Sequence, residues 1–354
     1  MIKTKGTLVI LTPGFAASED DDTCLPMQQS LVRTFRELYP HLQMIILSFQ
    51  YPYRETKYKW HEVTVYSFAG RNRGGFQRLW LRRKIFRILK ELHRKETILG
   101  LLSFWYNECA AVGKLFGERH RIPHYCWLLG QDARNRNRYP LSHPLQSKQL
   151  IALSHFLQDE FERNYSVRPL HVLPPAINPS HWPEPFGLRD IDILAVGSLI
   201  PLKGYEVFLE VVAAVKKELP NVRVVLIGEG PERKRLEAMA KHLALEENVQ
   251  FTGALPHRVV LSLMQRSKVF LHPSTFEGFG VVCLEALYGG AQVVSFVRPM
   301  KQAIGCWHVV KTKEEMAAKA SAILQNAHAC FCSRNVFPMK ETVQTLVDLF
   351  VPEK

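Results

Sequence analysis

The sequence predicts an α/β protein of two doubly wound domains, each a parallel sheet with helices on both faces. Three observations carry this prediction. A chain of 354 residues that is 47% apolar has more core-forming side chains than one α/β core uses. Short β-branched runs alternate with longer helical patterns, and the rhythm occurs twice. Between the two series lies Pro174-Pro175-Ala176-Ile177-Asn178-Pro179, followed by Pro183 and Pro185, which reads as a linker and places the boundary near residue 185.

In the first series, strands are expected at Leu8 to Thr12, Met44 to Phe49, Ile98 to Ser103, Tyr125 to Leu129, Leu150 to Ser154 and His171 to Leu173. In the second they are expected at Ile193 to Val196, Val222 to Ile227, Val249 to Phe251, Val269 to His272, Gln292 to Phe296 and His308 to Lys311. Helices fit between, for example Tyr205 to Leu219, then Pro231 to Leu245 with proline at the favoured first position. A last helix over about 338–354 is expected to pack back on the first domain. Ligands of open α/β sheets bind beyond the carboxyl ends of the strands, so functional residues are sought just after strands.

Composition excludes several classes. A charged content of 22% with ordinary glycine and proline argues against disorder and fibrous repeats, and no apolar window of about 18 residues is available to span a bilayer. Lys3 and Lys5 ahead of Leu8 to Leu11 and Ala16-Ala17-Ser18 mimic a signal peptide, but the apolar run falls short of the roughly 7 to 15 residues required. The segment is read as the first strand. Seven cysteines without paired spacing point to a reducing cytosol. Cys330 and Cys332, one residue apart, are a weak metal or redox signal, with an ordinary surface pair as the plain alternative.

The formal net charge is +13, and its sign is unevenly placed. Residues 1–180 hold 26 basic and 15 acidic side chains, whereas residues 181–354 hold 20 and 18. Between Arg71 and Lys95 lie ten Lys or Arg side chains and one acid, Glu91. Phe76, Leu79, Trp80, Leu81, Ile85, Phe86, Ile88, Leu89 and Leu92 are interleaved at helical spacings. A basic amphipathic helix of this kind binds anionic headgroups; a solvated helix packed on its own domain is the plain alternative. No recognised nucleic-acid fold is present, so nucleic acid is not an expected partner.

After the strand Val269 to His272 comes Pro273-Ser274-Thr275-Phe276-Glu277-Gly278-Phe279-Gly280-Val281-Val282-Cys283-Leu284-Glu285-Ala286-Leu287. A loop carboxylate, Glu277, is followed after seven residues by a helical one, Glu285. Gly278 and Gly280 allow backbone to approach a ligand closely, and a helix starting there offers N–H groups to an anion. Carboxylates accept hydrogen bonds from vicinal hydroxyls. The constellation suits a sugar nucleotide: phosphate at the helix start, ribose at one acid, hexose at the other. A capping Glu277 and a solvated Glu285 would give the same spacing.

Pro273 to Leu287 resembles the E-x7-E signature of the family 4 retaining glycosyltransferases, also called glycosyl transferases group 1, which have the GT-B fold. The resemblance extends to Val196-Gly197-Ser198-Leu199-Ile200-Pro201-Leu202-Lys203-Gly204, similar to the family's donor-phosphate loop, then to Gly228-Glu229-Gly230-Pro231 and Phe251-Thr252-Gly253. It covers most of residues 190 to 290. It implies two Rossmann-like domains facing across a cleft, 1–185 on the acceptor side and 186–337 binding the donor. In the donor domain it implies that Lys203, in the loop with Gly197 and Ser198, pairs with the donor diphosphate and that Glu285 binds the ribose. Glu277 and the amides of Gly278, Phe279 and Gly280 would face the transferred sugar and distal phosphate, and backbone near Leu255 would touch the base. The fold normally neutralises the leaving diphosphate with side chains and a helix dipole instead of a metal, so no metal and no cofactor is expected. UDP- or GDP-sugars are the expected donors.

Two positions depart from the family pattern. The phosphate loop has Ser198 where arginine usually follows the first glycine, which shifts the burden to Lys203, with Arg298 or Lys301 as conceivable replacements. In Trp127-Leu128-Leu129-Gly130-Gln131-Asp132, Leu129 stands where many relatives have histidine. Gln131 and Asp132 are therefore the candidates for acceptor-side contacts, Asp132 as a base or as a loop cap. Thr12-Pro13-Gly14-Phe15 resembles the N-terminal glycine loop and brings Gly14 near donor phosphate and acceptor, with an ordinary turn as the alternative. Glu19-Asp20-Asp21-Asp22 reads as a solvated loop or a cation site.

The resemblance implies retaining, metal-independent sugar transfer to a glycan or lipid-linked hydroxyl acceptor in polysaccharide, lipopolysaccharide or glycolipid synthesis. The expected location is the cytoplasm, near the inner face of a membrane. A degenerate nucleotide-sugar-binding or scaffold protein, and a sugar-nucleotide epimerase, are the rival readings.

Overall fold

The structure is a computed structural model that describes residues 6–184 and 187–351. In chain order its elements are β1 (Thr7–Gly14), α1 (Pro26–Leu38), β2 (Gln43–Tyr51), β3 (Thr56–Trp60), β4 (Val63–Ser67), α2 (Gly75–Lys95), β5 (Ile98–Phe104), α3 (Glu108–His120), β6 (His124–Leu128), α4 (Tyr139–Ser142), β7 (Leu150–Ala152), α5 (His155–Tyr165) and β8 (His171–Val172). There follow β9 (Ile191–Val196), α6 (Tyr205–Glu218), β10 (Val224–Ile227), α7 (Arg233–His242), β11 (Val249–Gly253), α8 (His257–Arg266), β12 (Ser267–His272), α9 (Val281–Tyr288), β13 (Gln292–Ser295), β14 (Trp307–Val309), α10 (Lys313–Gln325) and α11 (Met339–Phe350).

The chain divides into two compact units, Met1–Pro175 with Phe337–Lys354, and Ala176–Val336. The division therefore precedes the expected boundary, whose Pro185 lies outside the described residues, as do Lys3 and Lys5. The reason is local packing: Trp182 sets its ring 4.5 Å from that of Tyr288, and the Pro183 carbonyl accepts from Gln265 Nε2 at 3.2 Å. Trp182 and Pro183 are thus bound into the second unit before its first strand begins.

In the first unit, eight strands run in the order β3-β4-β2-β1-β5-β6-β7-β8. All neighbours are parallel except β3 and β4, which form an antiparallel hairpin at the edge. This hairpin adds an antiparallel edge to the expected parallel sheet. Its two-residue turn is His61-Glu62, with φ of +42° and +65°, a conformation that usually selects Asn-Gly. Buried Trp60 holds it by an edge-on contact with Phe15 at 4.8 Å. The central strands are almost wholly buried, as unbroken apolar runs such as Leu8-Val9-Ile10-Leu11 require in a sheet covered on both faces. α11 packs on this unit. Its Leu349 carbonyl accepts from Tyr125 Oη at 3.1 Å, and Phe350 meets the Tyr125 ring edge-on at 5.1 Å.

The second unit has six strands, all parallel, in the order β11-β10-β9-β12-β13-β14. α6 buries Tyr205, Phe208, Leu209, Val212 and Val215, one face of a 3.6-residue period, against this sheet. α7 begins at Arg233, later than the expected Pro231. The Glu232 amide donates to Leu199 O at 3.1 Å and that of Arg233 to Gly230 O at 3.2 Å, so Pro231 sits in a turn instead of at the first helical position.

Candidate functional site

Ligand groups of an open doubly wound sheet gather beyond the carboxyl ends of the strands where the strand order reverses. In the second unit that reversal lies between β9 and β12. The loop after β9 carries Gly197 to Gly204, and the loop after β12 carries Pro273 to Gly280. They touch. Gly204 has φ +68°, and a Cβ there would come within 2.7 Å of Pro273 O, so only glycine lets the two loops approach this closely. Ser274 Oγ lies 3.2 Å from both Leu202 O and Glu277 Oε1, joining one loop to the other.

This approach brings Lys203 and Glu277 into a direct ion pair, Nζ on Oε1. His272, at the end of β12 and buried, places Nε2 at 3.4 Å from the same oxygen. Burial works to raise the Glu277 pKa, but the His272 ring and the Lys203 ammonium outweigh it and hold the carboxyl down to about 2. Glu277 is therefore an anion throughout the neutral range.

Gly280, at φ +84°, turns the chain into α9, and no side chain caps that helix. Only some helices carry a side-chain cap, such as α3, where Asn107 accepts from Cys109 N at 2.8 Å, and α5, where Ser154 accepts from Leu157 N at 3.0 Å; α9 is among the several that do not. Gly278 and Phe279 lie buried in the same loop, with the Phe279 ring 5.9 Å from Trp307. One turn into α9, Glu285 is mostly buried and meets His257 Nε2 at 2.8 Å from its Oε1. His257 opens α8 just after Leu255, which is half-buried.

Among the expected donor-side residues, the structure thus brings together Lys203, Glu277 and the start of α9, and couples Glu285 to the start of α8. Ser198 is exposed. Arg298 turns its guanidinium toward Lys301 O at 3.4 Å. Three residues were missed by sequence reasoning. His272 and Ser274 stand within the loop-and-strand motif and are polar where a buried strand ends, a signal that could have found them. His257 has no such signal, because only the fold brings it to Glu285.

Residues 177–328 match the family model of glycosyl transferases group 1. The chain is 32% identical over 153 residues to a phosphatidylinositol N-acetylglucosaminyltransferase chain of Arabidopsis thaliana, covering 42% of this chain and 34% of that protein. Similarity to the human protein of the same name is 29% over 188 residues, covering 51% and 37%. The chain therefore spans little more than a third of the length of these curated relatives. Among solved structures, HepE from Anabaena in complex with UDP and glucose superposes with a TM-score of 0.71 at 16% identity, over 98% of this chain and 100% of that one. The fold is GT-B.

The remaining candidates of this GT-B chain lie in the first unit. Asp132 is buried after β6, and its carboxylate accepts from the amides of Gly130 at 2.7 Å, Tyr106 at 2.9 Å and Leu129 at 3.2 Å. Desolvation raises its pKa against the pull of those amides. Its oxygens are engaged in closing the loop, the capping arrangement that stood beside the acceptor-side reading. Gln131 beside it is exposed. Gly14 ends β1 without a positive φ, and a Cβ there would meet Cys24 Sγ and Tyr51 Cβ at an ordinary 3.6 Å, so nothing local requires glycine. In the acidic loop, Asp21 accepts from Tyr51 Oη at 2.8 Å, Ala17 N at 2.9 Å and Cys24 N at 3.2 Å. That carboxylate closes its loop, in contrast to the solvated reading.

Proposed function

We propose that the chain is a retaining glycosyltransferase of family 4 that moves a hexose or N-acetylhexosamine from a UDP-linked donor to a hydroxyl acceptor. The observation that carries this reading is the meeting of Lys203 with Glu277 at the strand-order reversal, beside the uncapped start of α9. The match to the group 1 family and the names of the relatives support the reaction class and the sugar.

The chemistry follows from the charges. Breaking a glycosyl–phosphate bond moves negative charge onto the diphosphate, and preorganised positive groups lower that barrier. Lys203 and the α9 amides are those groups. A diphosphate arriving here competes with Glu277 for Lys203, and the freed carboxylate oxygens accept hydrogen bonds from the sugar hydroxyls. Glu285 accepts from the ribose diol while His257 holds its other oxygen. Attack by the acceptor on the same face as the departing diphosphate gives retention, and the diphosphate oxygen takes the acceptor proton. With this positive charge built into the chain, the reaction proceeds without a divalent ion and survives EDTA.

The acceptor is a glycan or lipid-linked hydroxyl in cell-envelope or glycolipid synthesis, met at an anionic membrane surface reached from the cytoplasm. α2 supports this. Its Leu81, Ile85, Leu89 and Leu92 are buried on the first unit, while Phe76, Leu79 and Trp80 are exposed among its basic residues. The activity is tested by incubating the chain with UDP-N-acetylglucosamine or UDP-glucose and lipid extracts. NMR of the product should show the donor's anomeric configuration kept; inversion refutes retention, and release of free sugar without acceptor refutes transfer.

A further inference from the structure

Outside the candidate donor site, the described residues include a pair of exposed, reactive side chains, Cys330 and Cys332. Of the seven cysteines, Cys109, Cys126 and Cys283 are buried and Cys24 and Cys306 half-buried, whereas Cys330 and Cys332 are both exposed. Their sulfurs share a hydrogen bond at 2.8 Å. The backbone that carries them is held from below. Arg189 donates to Phe331 O at 3.1 Å with its guanidinium 5.6 Å from the Phe331 ring, and Phe331 itself packs on the core of the second unit. Gln292 Nε2 reaches Cys330 O at 3.4 Å. One residue is thus pinned inward, and both thiols are turned outward and toward each other.

We infer that Cys330 and Cys332 form a reversible dithiol–disulfide site that exchanges with small thiols and disulfides. The two groups need only a small approach to reach a bond of about 2.05 Å, and the anchored peptide keeps each near the other at high effective concentration. Cys330 is the entering nucleophile. Hydrogen bonds from Cys332 push its pKa down, with the Arg334 guanidinium adding to the effect, while Cys332 is pushed up. The thiolate is the reactive form.

The Cys330 thiolate attacks one sulfur of a small disulfide and expels the other half as a thiolate, which takes up the Cys332 proton. The Cys332 thiolate then attacks the mixed disulfide at Cys330 and expels the second small thiolate. Two protein thiols are oxidised to one disulfide, and one small disulfide is reduced to two thiols. An exposed ring closed over a single residue belongs with labile disulfides instead of structural ones. The pair also sits on a support of the donor helix. Arg189 bridges Phe331 O to Gly289 O, the latter at 2.8 Å, and Arg334 N donates to Leu287 O at 3.1 Å, both at the carboxyl end of α9.

The test uses the reduced full chain in graded mixtures of reduced and oxidised glutathione, quenched with iodoacetamide and read by peptide mass spectrometry. The parent should lose both thiols of the 330–332 peptide together, with no glutathione attached, ahead of Cys24 and Cys306. Cys332→Ser should hold a glutathione on Cys330, and Cys330→Ser should slow the reaction of Cys332 at least tenfold. The inference is overturned by a pair that stays alkylatable while Cys24 or Cys306 oxidises, by equal rates in the two variants, or by a disulfide formed between chains.

Discussion

At the scale of single residues, the candidate donor site is a set of charges that hold one another. Glu277, with its carboxyl held near 2 by His272 and Lys203, lies below its ordinary value. Its contribution to folding is therefore complete above its ordinary value of 4.5 and is lost as pH falls through about 2. Glu277→Gln should remove that part of the acid-stability profile in a pH-dependent denaturant titration, and Glu277→Ala should lower turnover more than nucleotide affinity. Glu285→Ala should weaken nucleotide-sugar binding by about 1–3 kcal/mol, the scale of lost hydrogen bonds to a charged group, as read by calorimetry. Asp132 has a different task. An asparagine has a single acceptor oxygen for the amides that the carboxylate now serves, so Asp132→Asn should lower the melting temperature of the parent, whatever it does to turnover. Unchanged stability would return Asp132 to the list of acceptor contacts.

At the scale of elements, most strands and helices were legible because their patterns are local. The apolar runs of β1, β9 and β12 and the periodicity of α6 need no tertiary information. The exceptions have tertiary causes. The β3–β4 hairpin turns on His61-Glu62, which lack the glycine or asparagine that marks such turns, and is held by Trp60 against Phe15. In α2 the spacing foretold an amphipathic helix, but only the structure separates its buried residues from its exposed ones. Arg82 pairs with Glu108 at 2.7 Å, and Lys84 with Glu55 at 2.6 Å, with Lys84 also 3.5 Å over the Trp80 ring. The exposed Arg73, Arg83 and Arg87 are thus the side chains to change. Replacing these three with glutamine, together with Trp80→Ala, should release the chain from anionic liposomes in a flotation assay without altering its melting temperature. High salt should weaken the electrostatic part. Equal partition of parent and variant would leave α2 as a helix of its own unit only.

At the scale of the whole molecule, the GT-B architecture was readable from rhythm and motif because a doubly wound unit repeats one local pattern and places its ligand loops after strands. The division between units was less readable, since Trp182 and Pro183 belong to the second unit through contacts that the proline pattern does not encode. The same limit hid His257, which is joined to Glu285 across 28 residues of chain. The proposed donor site has Lys203, Glu277, Glu285 and the start of α9 acting on one ligand in the second unit. Equilibrium binding of UDP and its sugars to the parent, Lys203→Ala and Glu285→Ala tests this most directly. The donor assignment predicts a thermal stabilisation by UDP-sugar that exceeds those by GDP- and ADP-sugars and is reduced in both variants. Stabilisation that is absent in the parent, or unchanged in both variants, would contradict it.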